Sequence, residues 1–195
     1  MFHSSKSRLD AISDGVFGVV LTIMVLDIKA PSNLSWQHLG NLPEEILTFF
    51  ISFAVIGQYW IFHQELFSKL TKPTTKLLIL NLFYLCFVCL MPFATSLLNN
   101  DLTARFNTTI FALVVCLVDS LQFILFHQVM GHWQRQGQSP TKHDLQEYHS
   151  AIIMFGFSIV YLLVGILWPL FLLPTIALSF LVRTIISRTL TKEVV

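Results

Sequence analysis

Charge is what this sequence has least of. Only 12% of its 195 residues are Asp, Glu, Lys or Arg, about half the share of roughly 25% that an ordinary soluble domain carries. A water-facing shell cannot be assembled from so few, and a soluble globular enzyme is excluded. The signs also nearly cancel, with 12 Lys plus Arg against 11 Asp plus Glu. That leaves no broad basic surface for phosphates, and no nucleic-acid partner is expected. Cysteine is equally scarce: Cys86, Cys89 and Cys116 are odd in number, lie inside apolar runs and make no disulfide framework. Metal-ligand patterns are missing too. His127, His132, His143 and His149 lie 5, 11 and 6 residues apart, which does not build a shared helix face, and no His-Glu-x-x-His string occurs. No metal or other cofactor is expected.

Apolar residues are what the chain has instead, 54% of the total with 18 Phe and a mean hydropathy of +0.69. A helix crosses a bilayer with about 20 largely apolar residues. Six stretches qualify: near Leu9–Ile28, Glu45–Leu66, Lys76–Leu98, Ala104–Val129, Tyr148–Leu167 and Pro169–Ser187. They consume most of the chain, and the longest polar remainder, His132–Glu147, is too short to fold alone. Residues 1–195 therefore read as one all-α integral membrane domain with six transmembrane helices.

The few charges orient it. With the N-terminus in the cytoplasm, Lys6, Arg8, Lys69, Lys72, Lys76, Arg135, Lys142, Arg183, Arg188 and Lys192 fall inside, and only Lys29 and Arg105 fall outside. That distribution obeys the positive-inside rule and places both termini in the cytoplasm. The very short connection at Leu167-Trp168-Pro169 predicts a tight helical hairpin, because Pro can open a helix but not continue one.

An ionisable side chain at membrane depth is expensive without a partner, so chemistry is to be sought among the polar residues there. The first helix offers Arg8, Asp10, Ser13 and Asp14; the second Gln58, His63 and Glu65; the third Asn81; the fourth Asp119 and Gln122. Gly15 and Gly18 are expected to admit a neighbouring backbone, with Asp14 facing protein. Val19, Thr22, Ile23 and Leu26 follow the 0, 3, 4, 7 spacing that shares a helix face. Periodicity alone reads that stripe as ordinary membrane-helix surface. Three functional classes remain at this level: a channel, a secondary transporter using intramembrane Asp119 and Asp14, and an intramembrane enzyme. The enzyme is disfavoured because Gly156-Phe157-Ser158 lacks the closing glycine of a nucleophile elbow. The transporter is disfavoured because the Ser13-Asp14-Gly15 motif occurs once, without a repeat in the second half.

The run Arg8-Leu9-x-x-Ile12-Ser13-Asp14-Gly15-Val16-Phe17-Gly18-Val19-Val20 resembles the first-helix motif of the transmembrane protein 175 family of potassium channels, Arg and then Phe-Ser-Asp followed by Gly-Val-Phe-Ala-Ile. Tyr59-Trp60-x-x-His63, Asn81-Leu82 and Leu90-Met91-Pro92-Phe93 are similar to later family patterns. The resemblance implies a homotetramer in the plasma membrane that passes potassium through a pore lined by the first helix. It assigns the hydrophobic gate to Val19, Ile23 and Leu26, and selectivity to Thr22. It assigns a polar network behind the pore to Arg8, Ser13, Asp14, Trp60 and His63. No Thr-Val-Gly-Tyr-Gly carbonyl filter occurs in this chain, so side chains would have to select and gate. Val19 stands where the family usually has Ile or Leu, Ile12 replaces Phe and Gly18 replaces Ala. Arg8 and Asp14, six apart, are about 240° apart around a helix and cannot pair directly. His63 is the expected bridge, and the network is expected either to gate or only to fix packing.

Overall fold

The computed structural model describes residues 5–29, 40–68, 70, 72–135, 137, 139 and 141–192, with side chains described as far as Val182. Lys69 and the side chains of Arg183, Arg188 and Lys192 lie outside the described residues. The described elements are all helical: α1 (Lys6–Ile23), α2 (Leu42–Ser68), α3 (Thr75–Val88), α4 (Met91–Asn100), α5 (Arg105–Arg135), α6 (Lys142–Leu167) and α7 (Leu172–Lys192). Short 3₁₀ turns follow α1 at Met24–Asp27 and precede α7 at Pro169–Phe171. Helices satisfy their own backbone groups, which hydrocarbon cannot do for them.

Among the described residues, five segments are long and apolar enough to cross a membrane: Lys6–Asp27, Leu42–Ser68, Thr75–Asn100, Arg105–Arg135 and Lys142–Leu167. A sixth apolar stretch, Pro169–Val182, is shorter among the described residues. The third apolar segment is broken in two. Pro92 has no N–H to donate and its ring would strike the carbonyl four residues back, so the chain turns at Cys89-Leu90 and restarts with Pro92 in the first turn of α4. Helices α5 and α6 run beyond the apolar stretches read from sequence and take up much of the polar connection. Gly137, with φ of +73°, follows the end of α5, and a Thr141–Asp144 capping box opens α6.

Side-chain contacts link α5 to α6 and α6 to α7. Helices α5 and α6 lie antiparallel, held at one end where Thr108 Oγ1 donates to the Gly165 carbonyl at 2.8 Å, and further along by Phe123 stacked on Phe155 and Tyr148. Helices α6 and α7 form the expected hairpin, with Tyr161 Oη donating to Ser179 Oγ. Between α4 and α5, Asp101 accepts from the Thr103 hydroxyl and N–H at 2.7 and 2.8 Å, and these bonds hold its carboxyl below the usual carboxylate range.

The glycine that matters for close packing is Gly165. A Cβ there would stand 2.9 Å from the Thr108 carbonyl oxygen, whereas one at Gly156 would meet nothing within 4 Å. Gly165→Ala is expected to force α5 and α6 apart at a cost of about 1–3 kcal/mol, typical of overpacking. Thermal unfolding of the detergent-solubilised protein reads this as a lowered midpoint, with Gly156→Ala, at an open position, unchanged or slightly raised.

Candidate functional site

Helix α1 has two unlike faces. Leu9, Ser13, Phe17, Val20 and Met24 recur at three- and four-residue intervals and are buried against the rest of the chain. The opposite face is bare. Val19 is 55% exposed, Ile23 45% and Leu26 77%, with Thr22, Gly15 and Gly18 exposed among them. The expected stripe thus lies together on one side of α1 with no cover from its own chain. From Met24 onward the backbone tightens to 3₁₀, so Leu26 reaches the stripe by a three-residue turn and not by the α-helical spacing assumed from sequence.

Beyond their own helix, no described residue brings an atom within 4 Å of a Cβ placed at Gly15 or Gly18, so the backbone they were expected to admit is not one of those. They lie on the bare face instead.

Thr22 has an unusual disposition for an exposed hydroxyl. Its Oγ1 donates back to the Gly18 and Val19 carbonyls, each at 2.9 Å. With the single proton committed to the helix, the oxygen presents lone pairs to whatever faces α1.

The polar residues divide into two groups rather than one network. On the exposed side, Trp60 Nε1 donates to Asp14 Oδ1 at 2.9 Å. On the buried side, His63 Nε2 lies 2.8 Å from Asn81 Oδ1, Asn81 Nδ2 donates to Ser13 Oγ at 3.1 Å, and Ser13 Oγ donates to the Leu9 carbonyl at 2.9 Å. An amide oxygen only accepts, so His63 is the donor of the first bond and the three bonds run one way, from α2 through α3 into α1. His63 is packed by aromatic rings, stacked on Tyr84 at 5.9 Å and against Phe67 and Phe17 at 4.6 and 5.7 Å. It does not stand between Arg8 and Asp14. Arg8 is exposed, while its neighbour Lys6 pairs with Asp10 at 2.6 Å.

Asn81 is the member of this relay that sequence reasoning did not place. It was visible as an amide at membrane depth; the signal was a side chain able to donate and accept at once, which is what a His on one helix and a Ser on another require.

Asp119, from α5, is buried deeper in the bundle. Tyr59 and Ser158 interact with its carboxyl, while its Oδ1 has no hydrogen-bond partner among the described residues. The adjoining cavity, lined also by Gln58, Tyr161 and Ser179, has a volume of about 30 Å³. A water needs about 10–15 Å³ on this measure, whereas small-molecule pockets run to about 300–1,000 Å³. Nothing larger than water or a small ion fits. Gln122, one turn along, accepts from Tyr84 Oη at 3.2 Å and joins α5 to α3.

Comparison with known proteins converges on the same region. Residues 8–92, which contain α1, α2, α3 and the relay, match the family model described as the endosomal/lysosomal potassium channel TMEM175. A protein of Streptomyces collinus named as a potassium channel is 31% identical over 138 residues, covering 69% of this chain and 67% of its own length. Another of that name from Chryseobacterium is 41% identical over 91 residues, and the match spans 47% of each chain, so about half the length of that relative is represented. The chicken relative, named an endosomal/lysosomal proton channel, is 29% identical over 160 residues, 74% of this chain and 31% of its own. The crystal structure of a lysosomal potassium-selective channel TMEM175 homolog from Chamaesiphon minutus superposes with a TM-score of 0.77 at 22% identity, covering 93% of this chain and 97% of that one. Its likeness establishes the fold. Shared motif, shared fold and a relative matched over two thirds of its length together make this chain a member of the TMEM175 family of potassium channels.

Proposed function

We propose that four copies of this chain assemble in the plasma membrane with α1 at the centre, and that the assembly passes potassium and related cations passively. The observation that carries the reading is the bare face of α1. An apolar face is no liability in lipid, but this one also carries Thr22, Gly15 and Gly18, and small residues let membrane helices approach closely. Around a fourfold axis the same face closes into a narrow tube. Its apolar rings, Val19, Ile23 and Leu26, would exclude water at the constriction and close the path by dewetting. Thr22 would contribute a ring of oxygens whose protons are already engaged, and such oxygens can replace part of a cation's hydration shell. A valine ring is wider than one of isoleucine or leucine, so Val19 would close less firmly.

In this reading all six apolar segments cross the membrane and both termini are cytoplasmic. The bundle end bearing Lys6, Arg8, Lys72, Lys76, Arg135 and Lys142 then faces the cytoplasm, as the positive-inside rule favours. Trp60 and Asp14 set the outward edge of α1 at that end. The relay of His63, Asn81 and Ser13 fixes the inward face.

The deciding experiment is reconstitution of the purified protein in planar bilayers under a potassium gradient. Stepwise single-channel currents that reverse near the potassium potential are expected; saturable solute exchange without such currents would refute the channel. Within that assay, Val19→Ala should raise the current in the closed state, since a still smaller ring dewets less readily. Thr22→Ala should bring the potassium and sodium permeabilities toward equality with α1 still folded, and a selectivity equal to wild type would remove Thr22 from the pathway. Asn81→Leu should lower the thermal midpoint more than Trp60→Phe, because the first leaves His63 and Ser13 buried without their partner, a loss of about 1–3 kcal/mol per group. Equal effects of the two would contradict the division into a buried and an exposed group.

A further inference from the structure

Helices α3 and α5 enclose two adjoining spaces. One is a pocket of about 90 Å³ at the end where α3 begins and α5 finishes, lined by Thr74, Lys76, Leu77, Gln128, His132 and Arg135. Its lining contains three basic or titratable nitrogen side chains and no carboxylate. Neither Lys76 nor Arg135 forms an ion pair among the described residues. The other space is an open apolar groove of about 460 Å³ lined by Ile79, Leu80, Phe83 and Ile124 together with Lys76 and Gln128. Those last two residues border both spaces.

The sequence explains the continuity. On α3 the residues at 76, 79, 80 and 83, and on α5 those at 124, 128, 132 and 135, recur at the three- and four-residue intervals of one helix face. Each face changes from apolar to basic at the same end of the bundle. Lys76 suits the boundary, since a lysine can lay its four-carbon stem along apolar surface and carry its ammonium to the polar end. Ile79, Phe83 and Ile124, exposed along the groove, and the half-buried Leu80 offer no hydrogen bond to a headgroup, only contact to a chain.

We propose that this site holds one anionic glycerophospholipid, its phosphate between Lys76 and Arg135 and an acyl chain along the groove between α3 and α5. A free phosphate would use the pocket and ignore the groove; a neutral lipid would use the groove and ignore the charges. Only an anionic lipid uses both, and basic pockets between membrane helices are suited to such headgroups.

Native mass spectrometry of the detergent-solubilised protein tests the assignment, with phosphatidylglycerol and phosphatidylcholine of identical acyl chains as probes and glycerol phosphate as the chain-free control. Phosphatidylglycerol is expected to be retained about tenfold better than phosphatidylcholine, and the preference should shrink with added salt. The double variant Lys76→Gln with Arg135→Gln should remove the preference, and Ile79→Trp, which fills the groove, should weaken retention of both lipids. Equal retention of the two lipids by the wild type overturns the proposal, as does binding of glycerol phosphate as tight as that of the lipid. The wild-type comparison and its salt dependence need no substitution, so they decide between the outcomes even where a variant misfolds.

Discussion

The hydrogen bond from Asn81 to Ser13 is the constraint around which the rest of the subunit is arranged. Three polar side chains, His63, Asn81 and Ser13, are buried where no water reaches them, and each can be tolerated only if its neighbour completes it. Their bonds run in one direction and end on the Leu9 carbonyl of α1 itself. That ordering fixes the rotation of α1 about its axis: turning Ser13 away would strand two groups at once. With Ser13 inward, Phe17, Val20 and Met24 must follow inward at helical spacing, and Val19, Thr22 and Ile23 are left outward. The bare face is thus a result of a bond on the opposite side.

The aromatic shell serves the same end. Phe17, Phe67 and Tyr84 crowd the His63 ring from three helices, and Tyr84 passes the connection on to Gln122 in α5. Rings packed at such distances add specific geometry to simple burial. The α5–α6 pair, joined where Gly165 meets Thr108, forms a second unit beside it, and α7 folds back onto α6 through Tyr161 and Ser179.

Much of this was readable from residue types, and the remainder shows where such reading stops. Apolar run length located the membrane segments because hydrocarbon imposes a minimum span; it misjudged where α5 ends and α6 begins because helices continue into water, α6 starting at a cap, Thr141 with Asp144, that lies further out. The stripe on α1 followed from spacing, although the 3₁₀ turn at Leu26 did not, since a tightening by one residue leaves no compositional mark. Asp14 was correctly suspected of needing a partner, and Trp60 supplies it. His63 was given the wrong neighbour. A histidine's chemistry permits several partners, and only the packing of α3 against α1 and α2 decides that Asn81 takes it. The glycines show the same limit: Gly15 and Gly18 have the spacing of a contact motif but face away from the described residues of their own subunit, whereas Gly165, with no motif around it, is pressed against a neighbouring backbone.

The fastening of α1 is uneven along its length. Its side-chain bonds to other helices, at Ser13 and Asp14, fall in the half nearer Lys6; from Phe17 to Met24 it is held by apolar contact, until the Lys29 N–H donates to Glu45 Oε2 of α2 at 2.9 Å. Apolar contact resists separation but hardly resists sliding or twisting, while a hydrogen bond resists both. The helix therefore behaves like a rod clamped near its start and tied again past its end, with a greased stretch between. Torsion applied to it collects beyond Phe17, in the segment that carries Val19, Thr22 and Ile23, and a few degrees there redirect every side chain of the bare face while the clamp keeps its register.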